Sequence, residues 1–376
     1  EMKVALVHDW LTGMRGGEKC LEVFCELYPE ADLFTLLHVR GSVSPRIEGM
    51  RIHTSLIQRL PFAARSYRSY LPLMPSAVER FDLGSYDLVL SSSHCVAKGV
   101  VTRPETLHVC YCFTPMRYAW ESHHRYFGDH RLGWAQRKFI PFLFNYLRLW
   151  DAASSERVDA FVAISQAVAR RIRKYYGREA EVIHPPVDTS RFRVGRGEGG
   201  YYLIVSAFAP YKRLDLALEA FKLLPRPLKV VGRGQDERKL RTMAGPGVEF
   251  LGWKNDSELA ELYRGCRALI FPGEEDFGIV PLEAMASGRP VLALAKGGAL
   301  ETVVPPGRGE VVTGLFFYEE TPEALAETVE RFEAMEGEFD PEAIRRNVLP
   351  FDRALFKGRV SVYLEEKLRR FREGTP

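Results

Sequence analysis

The feature that most constrains the fold of this chain is a strand pattern followed by a helix pattern, repeated along most of its length. Short apolar runs such as "KVALVH", "ADLFTLL", "YDLVLSSS", "LHVCYCFT" and "VDAFVAIS" alternate with amphipathic stretches. Largely apolar strands that alternate with helices predict a parallel sheet covered on both faces. Ser165, the last residue of the fifth run, is placed to cap the helix "QAVARRIRKYYG".

A second series of the same kind begins after the glycine-rich and charged stretch 191–200, which we interpret as a linker. Its strands are "YYLIVSAF", "PLKVVGRG", "GVEFLGW", "CRALIFPG" and "RPVLALAKGG". The sequence therefore predicts an α/β protein with two doubly wound Rossmann-like domains facing a cleft, at residues 1–193 and 194–352. Residues 353–376 predict a terminal helix that packs back on the first domain. Ligands are expected at the carboxyl ends of the strands.

Composition excludes several classes of protein. The net charge of the 376 residues is +3, which is too small to indicate a nucleic-acid partner. The six cysteines form no CxxC pair, so we predict core thiols in a reducing compartment. No apolar run is long enough to span a bilayer. We therefore expect a soluble cytoplasmic protein.

The segment "GEEDFGIVPLEAMASG", residues 273–288, places two carboxylates around the start of a predicted helix. Pro281 suits the first helical turn. Three backbone N–H groups would then be available to a phosphate, those of Gly278, Ile279 and Val280. Glu283, one turn into the helix, could accept two ribose hydroxyls, and Glu275 could hold a second sugar. The alternative is ordinary capping of a helix N-terminus by acidic side chains.

Cations follow two other strands of the same predicted sheet. Lys212 opens the helix after "YYLIVSAF" and could neutralise a diphosphate. The loop "VGRG" supplies Gly232, Arg233 and Gly234 after the next strand. Each cation taken alone could be a solvated loop charge. Together with the two glutamates on one sheet edge, they favour a ligand site.

The segment from Glu275 to Gly288, with Lys212 and "VGRG", resembles the retaining glycosyltransferases of family 4, which have the GT-B fold. The resemblance covers nearly the whole chain. "HDWLTGMRGGEKCLE", "SSSHCVAKGV" and "TPMRYAW" resemble the branch that includes O-antigen and exopolysaccharide mannosyltransferases. The two-glutamate motif is specific for the broad class and says little about the transferred sugar.

The resemblance implies that Glu283 binds the donor ribose, Glu275 positions the donor sugar and Lys212 contacts the diphosphate. Many relatives carry an arginine five residues before that lysine, where this chain has Ala207. Arg213 or Arg233 could replace it, or the branch could use one cation. No DxD motif is in a position to hold a metal, so we predict transfer without a metal ion or other cofactor.

In the first domain, Gly16 and Gly17 lie between the first strand and a helix, in a loop that the resemblance places near donor phosphate and acceptor. The alternative is a simple turn. His94 and Arg117 follow two further strands and are candidates for the acceptor side; a lone histidine could equally be structural. Phe113 stands where the branch usually has a histidine near the donor sugar, so this chain could favour a different sugar or acceptor.

The segment "HHRYFGDHRLGWAQRKFIPFLFNYLRLW", residues 123–150, is rich in aromatic and basic residues. It could touch a membrane surface or a lipid-linked acceptor. The alternative is a core helix with a solvated basic face.

The resemblance therefore implies a retaining hexosyltransferase, most simply one that moves mannose from GDP-mannose to a glycan or lipid-linked acceptor in cell-surface polysaccharide synthesis. It would be cytoplasmic, with peripheral contact at the inner face of the membrane as an option. The alternatives are a UDP-glucose or UDP-GlcNAc transferase and a nucleotide-sugar-binding protein without catalysis. Phe113 and Ala207 are the features that favour the last.

Overall fold

The computed structural model describes residues 2–120 and 134–374. For residues 134–138 it describes the backbone alone. The chain forms two compact units, Glu1–Pro185 with Phe356–Pro376, and Pro186–Leu355. Each unit is built on a parallel β-sheet, as the alternating pattern predicts.

The first unit holds a seven-stranded sheet with the order β3-β2-β1-β4-β5-β6-β7. Its central strands are fully buried because helices cover both faces. The seven strands are β1 (Val4–His8), β2 (Asp32–Thr35), β3 (Arg51–Thr54), β4 (Leu88–Ser93), β5 (Leu107–Cys112), β6 (Ala160–Ala163) and β7 (Ala180–Val182). The sequence patterns predict the five central and neighbouring strands but miss β3 and β7, which lie at the two edges.

The helices of the first unit range from single turns to a helix of 22 residues. They are α1 (Gly16–Leu27), α2 (Pro45–Glu48), α3 (Ala63–Ser66), α4 (Met74–Val78), α5 (Arg117–Trp120), α6 (Trp134–Ser155) and α7 (Gln166–Tyr176). The predicted cap of α7 is confirmed, since Ser165 Oγ accepts a hydrogen bond from Val168 N at 3.1 Å. Helix α6 buries Phe144 and Leu147 in a core cluster that also contains Ile57, Ala63 and Tyr67.

The second unit holds a six-stranded sheet with the order β10-β9-β8-β11-β12-β13. The strands are β8 (Tyr201–Val205), β9 (Leu228–Val231), β10 (Val248–Gly252), β11 (Cys266–Phe271), β12 (Val291–Leu294) and β13 (Gly314–Phe317). The helices are α8 (Leu214–Leu223), α9 (Glu237–Met243), α10 (Asp256–Gly265), α11 (Ile279–Ala286), α12 (Ala299–Thr302), α13 (Pro322–Ala334) and α14 (Pro341–Val348). The edge strand β13 is absent from the predicted set.

The glycine-rich stretch that the sequence suggests as a linker is bonded to the second unit. Gly195 N–H donates to Ser287 O at 3.0 Å, and Gly199 N–H donates to Gly265 O at 3.0 Å. The backbone of this stretch is therefore tied down before β8 begins.

The last helix, α15 (Arg353–Arg372), begins in the second unit and continues as part of the first. Phe356 lies in the first unit with ring centroids 6.0 Å from Phe24 and 5.8 Å from Tyr111. Lys357 pairs with Glu26 at 3.2 Å. Helix α15 is thus anchored to α1 and β5.

The six cysteines are buried and unpaired with one another. Burial raises the pKa of the Cys25 and Cys266 thiols to about 12, so they behave as small core side chains. In the part of the chain that the structure describes, no helix is long and apolar enough to cross a membrane.

Candidate functional site

The order of strands in the second unit reverses between β8 and β11, and the loops after these two strands carry the predicted donor residues. Open parallel sheets bind ligands at such a point. Lys212, after β8, forms an ion pair with Glu275, after β11. Lys212 Nζ also lies 5.2 Å from the centre of the Tyr211 ring. The structure thus brings the two predicted residues together, while their roles toward a donor stay predictions.

Helix α11 begins beside this ion pair. Gly278 precedes it with φ +84°, a conformation that strains any residue with a Cβ. Pro281 lies in the first turn, as predicted. The first N–H groups of a helix have no partner within it, so the amides around Gly278, Ile279 and Val280 suit an anion.

Glu283 lies inside α11, beyond the first turn, and is buried. The Tyr263 hydroxyl donates to Glu283 Oε2 at 2.8 Å. Burial and then the charge of Glu283 raise the pKa of Tyr263, which therefore stays a donor. Because no acidic residue lies in the first turn, helix capping does not explain Glu283. Its carboxylate is held in a fixed orientation by a neighbouring helix.

Arg213, offered as a substitute for the arginine missing at Ala207, is engaged elsewhere. It is a non-glycine residue with positive φ, +53°. Its guanidinium donates to Glu320 at 2.6 Å and to Asp215 at 3.3 Å. Lys296 pairs with the same Glu320. The geometry therefore favours Lys212 over Arg213 as the cation for a phosphate.

The glycines of "VGRG" allow the loop after β9 to pack on the loop after β8. A Cβ at Gly232 would come within 1.8 Å of Ser206 O, and its φ is +137°. Phe208 N–H donates to Arg233 O at 2.9 Å. The Arg233 side chain is exposed and reaches towards Gly252. The glycines thus have a packing role, and Arg233 remains the ligand candidate of this loop.

The sheet of the first unit also reverses its order between two strands, β1 and β4. His8 ends β1, His94 follows β4, and Phe113 follows β5. The ring centroids of His8 and His94 are 6.5 Å apart, and Phe113 is 6.4 Å from each. The predicted residues His94 and Phe113 are therefore neighbours at one sheet edge, with His8 as a third member.

Gly16 and Gly17 are not in a loop before the helix, as the sequence suggested; they are the first two residues of α1. The helix can begin there because Glu18 accepts a hydrogen bond from Arg15 N–H at 3.0 Å. A Cβ on Gly17 would be 3.4 Å from the Phe113 ring. Arg117 opens the short helix α5, half-buried.

Asp9 is a component of this edge that the sequence analysis did not single out. Its fully buried carboxylate accepts four backbone hydrogen bonds of 2.7–3.0 Å, from the N–H groups of His94, Cys95, Val96 and Ala97. His94 Nδ1 lies 3.0 Å from Asp9 Oδ2. Burial alone would raise the pKa of Asp9, but its interactions with His94 outweigh burial and hold the pKa well below the usual range.

A second histidine–carboxylate contact lies beside the first. His8 Nδ1 is 2.7 Å from Ser92 Oγ, and His8 Nε2 is 3.9 Å from Glu18 Oε1. Burial opposes ionisation of Glu18, yet the contact with His8 lowers its pKa. The pair "HD" at the end of β1 places both residues at this edge, but the sequence gives no sign of their partners.

Among the residues that the structure describes, no group of three or more His, Cys, Asp or Glu side chains is arranged to hold a metal ion.

Two family models match successive parts of the chain. The model for glycosyltransferase family 4 matches residues 23–191, and the model for glycosyl transferases group 1 matches residues 187–347. The matched residues together extend over both units.

Two relatives illustrate the similarity in sequence. The alpha-1,3/1,6-mannosyltransferase ALG2 of Homo sapiens is 29% identical over 41% of this chain and 44% of its own length. The O-antigen chain mannosyltransferase C of Escherichia coli is 29% identical over 47% of this chain and 57% of its own. The aligned part thus spans about half the length of these relatives.

The fold is shared with solved structures of much lower sequence identity. A structure of HepE from Anabaena in complex with UDP has a TM-score of 0.71 and 15% identity, over 97% of this chain and all of that one. At this identity the likeness concerns the fold alone.

Proposed function

Because the chain belongs to the family 4 glycosyltransferases of the GT-B fold, we propose that it is a retaining hexosyltransferase that moves mannose from GDP-mannose to a glycan or lipid-linked acceptor. The observation that carries the proposal is the cluster in the second unit. Lys212 and Glu275 meet where the strand order reverses, beside the N-terminus of α11 and the fixed carboxylate of Glu283.

Each part of this cluster suits one part of a nucleotide sugar. The helix N-terminus and Lys212 suit the diphosphate, which leaves with a negative charge. The fixed carboxylate of Glu283 suits a ribose diol. Glu275 suits the transferred sugar, whose ring gains positive charge in the transition state. The protein would act by positioning and by charge stabilisation, and the leaving diphosphate would accept the proton of the acceptor hydroxyl.

Mannose and cell-surface polysaccharide synthesis are supported by the relatives, which include an O-antigen chain mannosyltransferase. A uridine donor is the alternative, supported by the structural likeness to HepE in complex with UDP. A thermal-shift panel with GDP-mannose, UDP-glucose and UDP-GlcNAc separates the two. We expect the largest rise in melting temperature with GDP-mannose, and a larger rise with a uridine donor contradicts it.

The panel also tests the cluster itself when it is repeated on Glu283→Ala. Loss of the ribose contact is expected to abolish most of the shift. A matched control is Glu261→Ala on the exposed face of α10, which keeps the shift. A binding protein without catalysis would show the shift but form neither product nor free sugar when incubated with donor and a lipid-linked glycan extract.

We further propose that no divalent ion is needed, because Lys212 and the start of α11 provide positive charge at the diphosphate. Transfer measured in EDTA is therefore expected to equal transfer in Mg²⁺ or Mn²⁺. Loss of activity in EDTA with recovery on adding either ion contradicts the proposal.

Two segments of the first unit support peripheral contact with an anionic membrane. Helix α6 exposes Phe139, Phe142, Tyr146 and Leu149 at spacings of three and four, which places them on one face. Residues 56–73 contain three exposed arginines and no acidic residue, and Phe62 is 80% exposed. Both segments pack on the same core cluster. Of the aromatic and basic segment 123–150, residues 123–133 lie outside the described range.

Flotation with vesicles tests this contact. Wild-type protein is expected to float with phosphatidylglycerol-containing vesicles more than with phosphatidylcholine alone. The double variant Phe139→Ser/Phe142→Ser should lose most of this binding. Leu223→Ser, at an exposed apolar position of the second unit, is the matched control. Equal flotation of the double variant and the control contradicts the contact.

A further inference from the structure

The edge of the first unit contains a histidine whose orientation is fixed by a buried carboxylate. Asp9 is ionised and can only accept hydrogen bonds, so the His94 nitrogen beside it, Nδ1, must donate. In the neutral ring the other nitrogen, Nε2, is then a hydrogen-bond acceptor. The His94 side chain is 31% exposed, whereas that of Asp9 is 0% exposed. In that neutral form the histidine presents one defined acceptor atom at the sheet edge.

Asp9 cannot easily turn away from His94. Its two oxygens are also held by four successive backbone N–H groups, at positions 94–97. The same carboxylate therefore fixes both the backbone that carries the His94 ring and the tautomer of that ring. This is the arrangement expected of a positioning residue rather than of a surface ion pair, which would leave both partners exposed.

Aromatic rings surround His94 on two sides. Trp10 meets it edge to face with ring centroids 4.5 Å apart, and Phe113 lies 6.4 Å away. The charged and titratable groups near it are Asp9, just after β1, and the His8–Glu18 contact between β1 and α1. Phe113, just after β5, carries no charge. Two carboxylates near one acceptor nitrogen disfavour an anionic ligand.

Resting on the function proposed above, we propose that the Asp9–His94 pair binds the acceptor sugar, with His94 Nε2 accepting a hydrogen bond from a hydroxyl beside the one that is to be glycosylated, whose own proton goes to the leaving diphosphate. The ligand it takes is an uncharged pyranose at the end of a glycan. Aromatic rings beside a few directed polar groups are typical of such sites. The two carboxylates disfavour a sugar phosphate. Asp9 is the positioning residue, and Phe113 supplies an apolar wall.

Binding and kinetics on one set of variants test this assignment. The probes are methyl α-mannopyranoside and mannose 1-phosphate, added to the full-length protein with GDP-mannose. Saturation-transfer NMR should detect the methyl glycoside and not the phosphate on the wild type. His94→Ala should lose that signal and raise the KM for the methyl glycoside about tenfold or more. His94→Gln, which keeps an acceptor oxygen, should recover part of the loss. The KM for the donor should change less than twofold.

Asp9→Asn should raise the acceptor KM while the thermal shift with GDP-mannose is retained, a split that simple loss of folding would not give. His53→Ala is the matched control, since His53 also pairs with a carboxylate, Asp32, at 2.9 Å on the edge strand β3. It should leave both KM values unchanged.

The inference is overturned if His94→Ala binds the methyl glycoside like the wild type, if mannose 1-phosphate binds better, or if neither probe binds the wild type. A wild type whose melting temperature responds to no nucleotide sugar would instead overturn the proposed function. The two failures are therefore distinguishable.

Discussion

Each of the two sheet edges where the strand order reverses contains a pair of charged or titratable side chains, and the two pairs differ in burial. In the first unit, Asp9 is completely buried, and its oxygens are filled by four backbone N–H groups and one imidazole. In the second unit, Lys212 and Glu275 pair mainly with each other, and their side chains are 15% and 23% exposed. The first charge is part of the fold, whereas the second pair is accessible to a ligand.

This difference indicates how each edge works. A buried carboxylate with all its partners in place fixes a loop, and removing it leaves several N–H groups without an acceptor. A partly exposed ion pair contributes little to stability. Lys212 and Glu275 can therefore give up their contact with each other and bind the phosphate and the hydroxyls of a donor instead. We therefore expect loss of the Asp9 carboxylate to affect folding as well as acceptor binding, and mutations at the second edge to affect kinetics with little change in stability.

The largest expected effect is that of Asp9→Ala. It leaves four buried backbone N–H groups without their acceptor, so the free energy of unfolding should fall by about 3–5 kcal/mol. Urea unfolding followed by circular dichroism measures the change. Asp87→Ala, at a half-buried residue whose carboxylate accepts a hydrogen bond from Lys3 N–H at 2.7 Å, is a control for the loss of a less buried carboxylate. A change below about 1 kcal/mol for Asp9→Ala would contradict a structural role.

Glu275→Ala should have the reverse effect of Asp9→Ala, with a large change in kinetics and little change in stability. If one charged hydrogen bond worth roughly 3 kcal/mol is lost in the transition state, kcat falls about 10²-fold or more, and the melting temperature stays close to that of the wild type. Steady-state kinetics with thermal melts measure both. The adjacent, exposed Glu274→Ala is the control in the same loop and should retain wild-type kcat. An early melt with unchanged kcat would make Glu275 structural.

Glu283→Ala should mainly raise the donor KM, by about tenfold, because the ribose is remote from the bond that breaks and its binding is uniform along the reaction. Tyr263→Phe removes the hydroxyl that orients this carboxylate, and a rise of only a few-fold is expected. If Tyr263→Phe changes kcat more than KM, Glu283 acts on the transferred sugar instead.

Lowering the pH should produce the smallest of these effects, a gradual change in the free energy of unfolding. The pKa of Asp9 is lower in the folded state than its ordinary value of 3.8. Its contribution to stability is therefore fully present above pH 3.8 and is lost as the pH falls from there towards the folded-state pKa. Unfolding free energies at pH values from 5 to 2 should fall less steeply in Asp9→Asn than in the wild type. Parallel curves would show that Asp9 is not charged.

Much of this architecture could be predicted from sequence because central parallel strands are buried on both faces and read as continuous apolar runs. The missed strands β3, β7 and β13 all lie at sheet edges and have only three or four residues. In β3 and β7 no residue is buried, so the apolar signal is weak.

Some residues of the candidate site could likewise be predicted from the sequence, and others could not. Lys212, Glu275, Glu283 and His94 could be found because each follows a recognisable strand. Asp9 could not, since its partners are backbone N–H groups some 85 positions further along the chain, which leave no side-chain pattern. The engagement of Arg213 by Glu320 is likewise set by tertiary contacts between distant positions.

Helix α15 has a consequence for the order in which the protein can fold during synthesis. The first unit needs Phe356, which packs against Phe24 and Tyr111, yet the ribosome makes this residue after the whole of the second unit. Until α15 has been synthesised, the sheet of the first unit therefore lacks the Phe356 ring that packs beside α1. A nascent chain that ends at Leu355 should therefore display a complete second unit and a protease-sensitive first one.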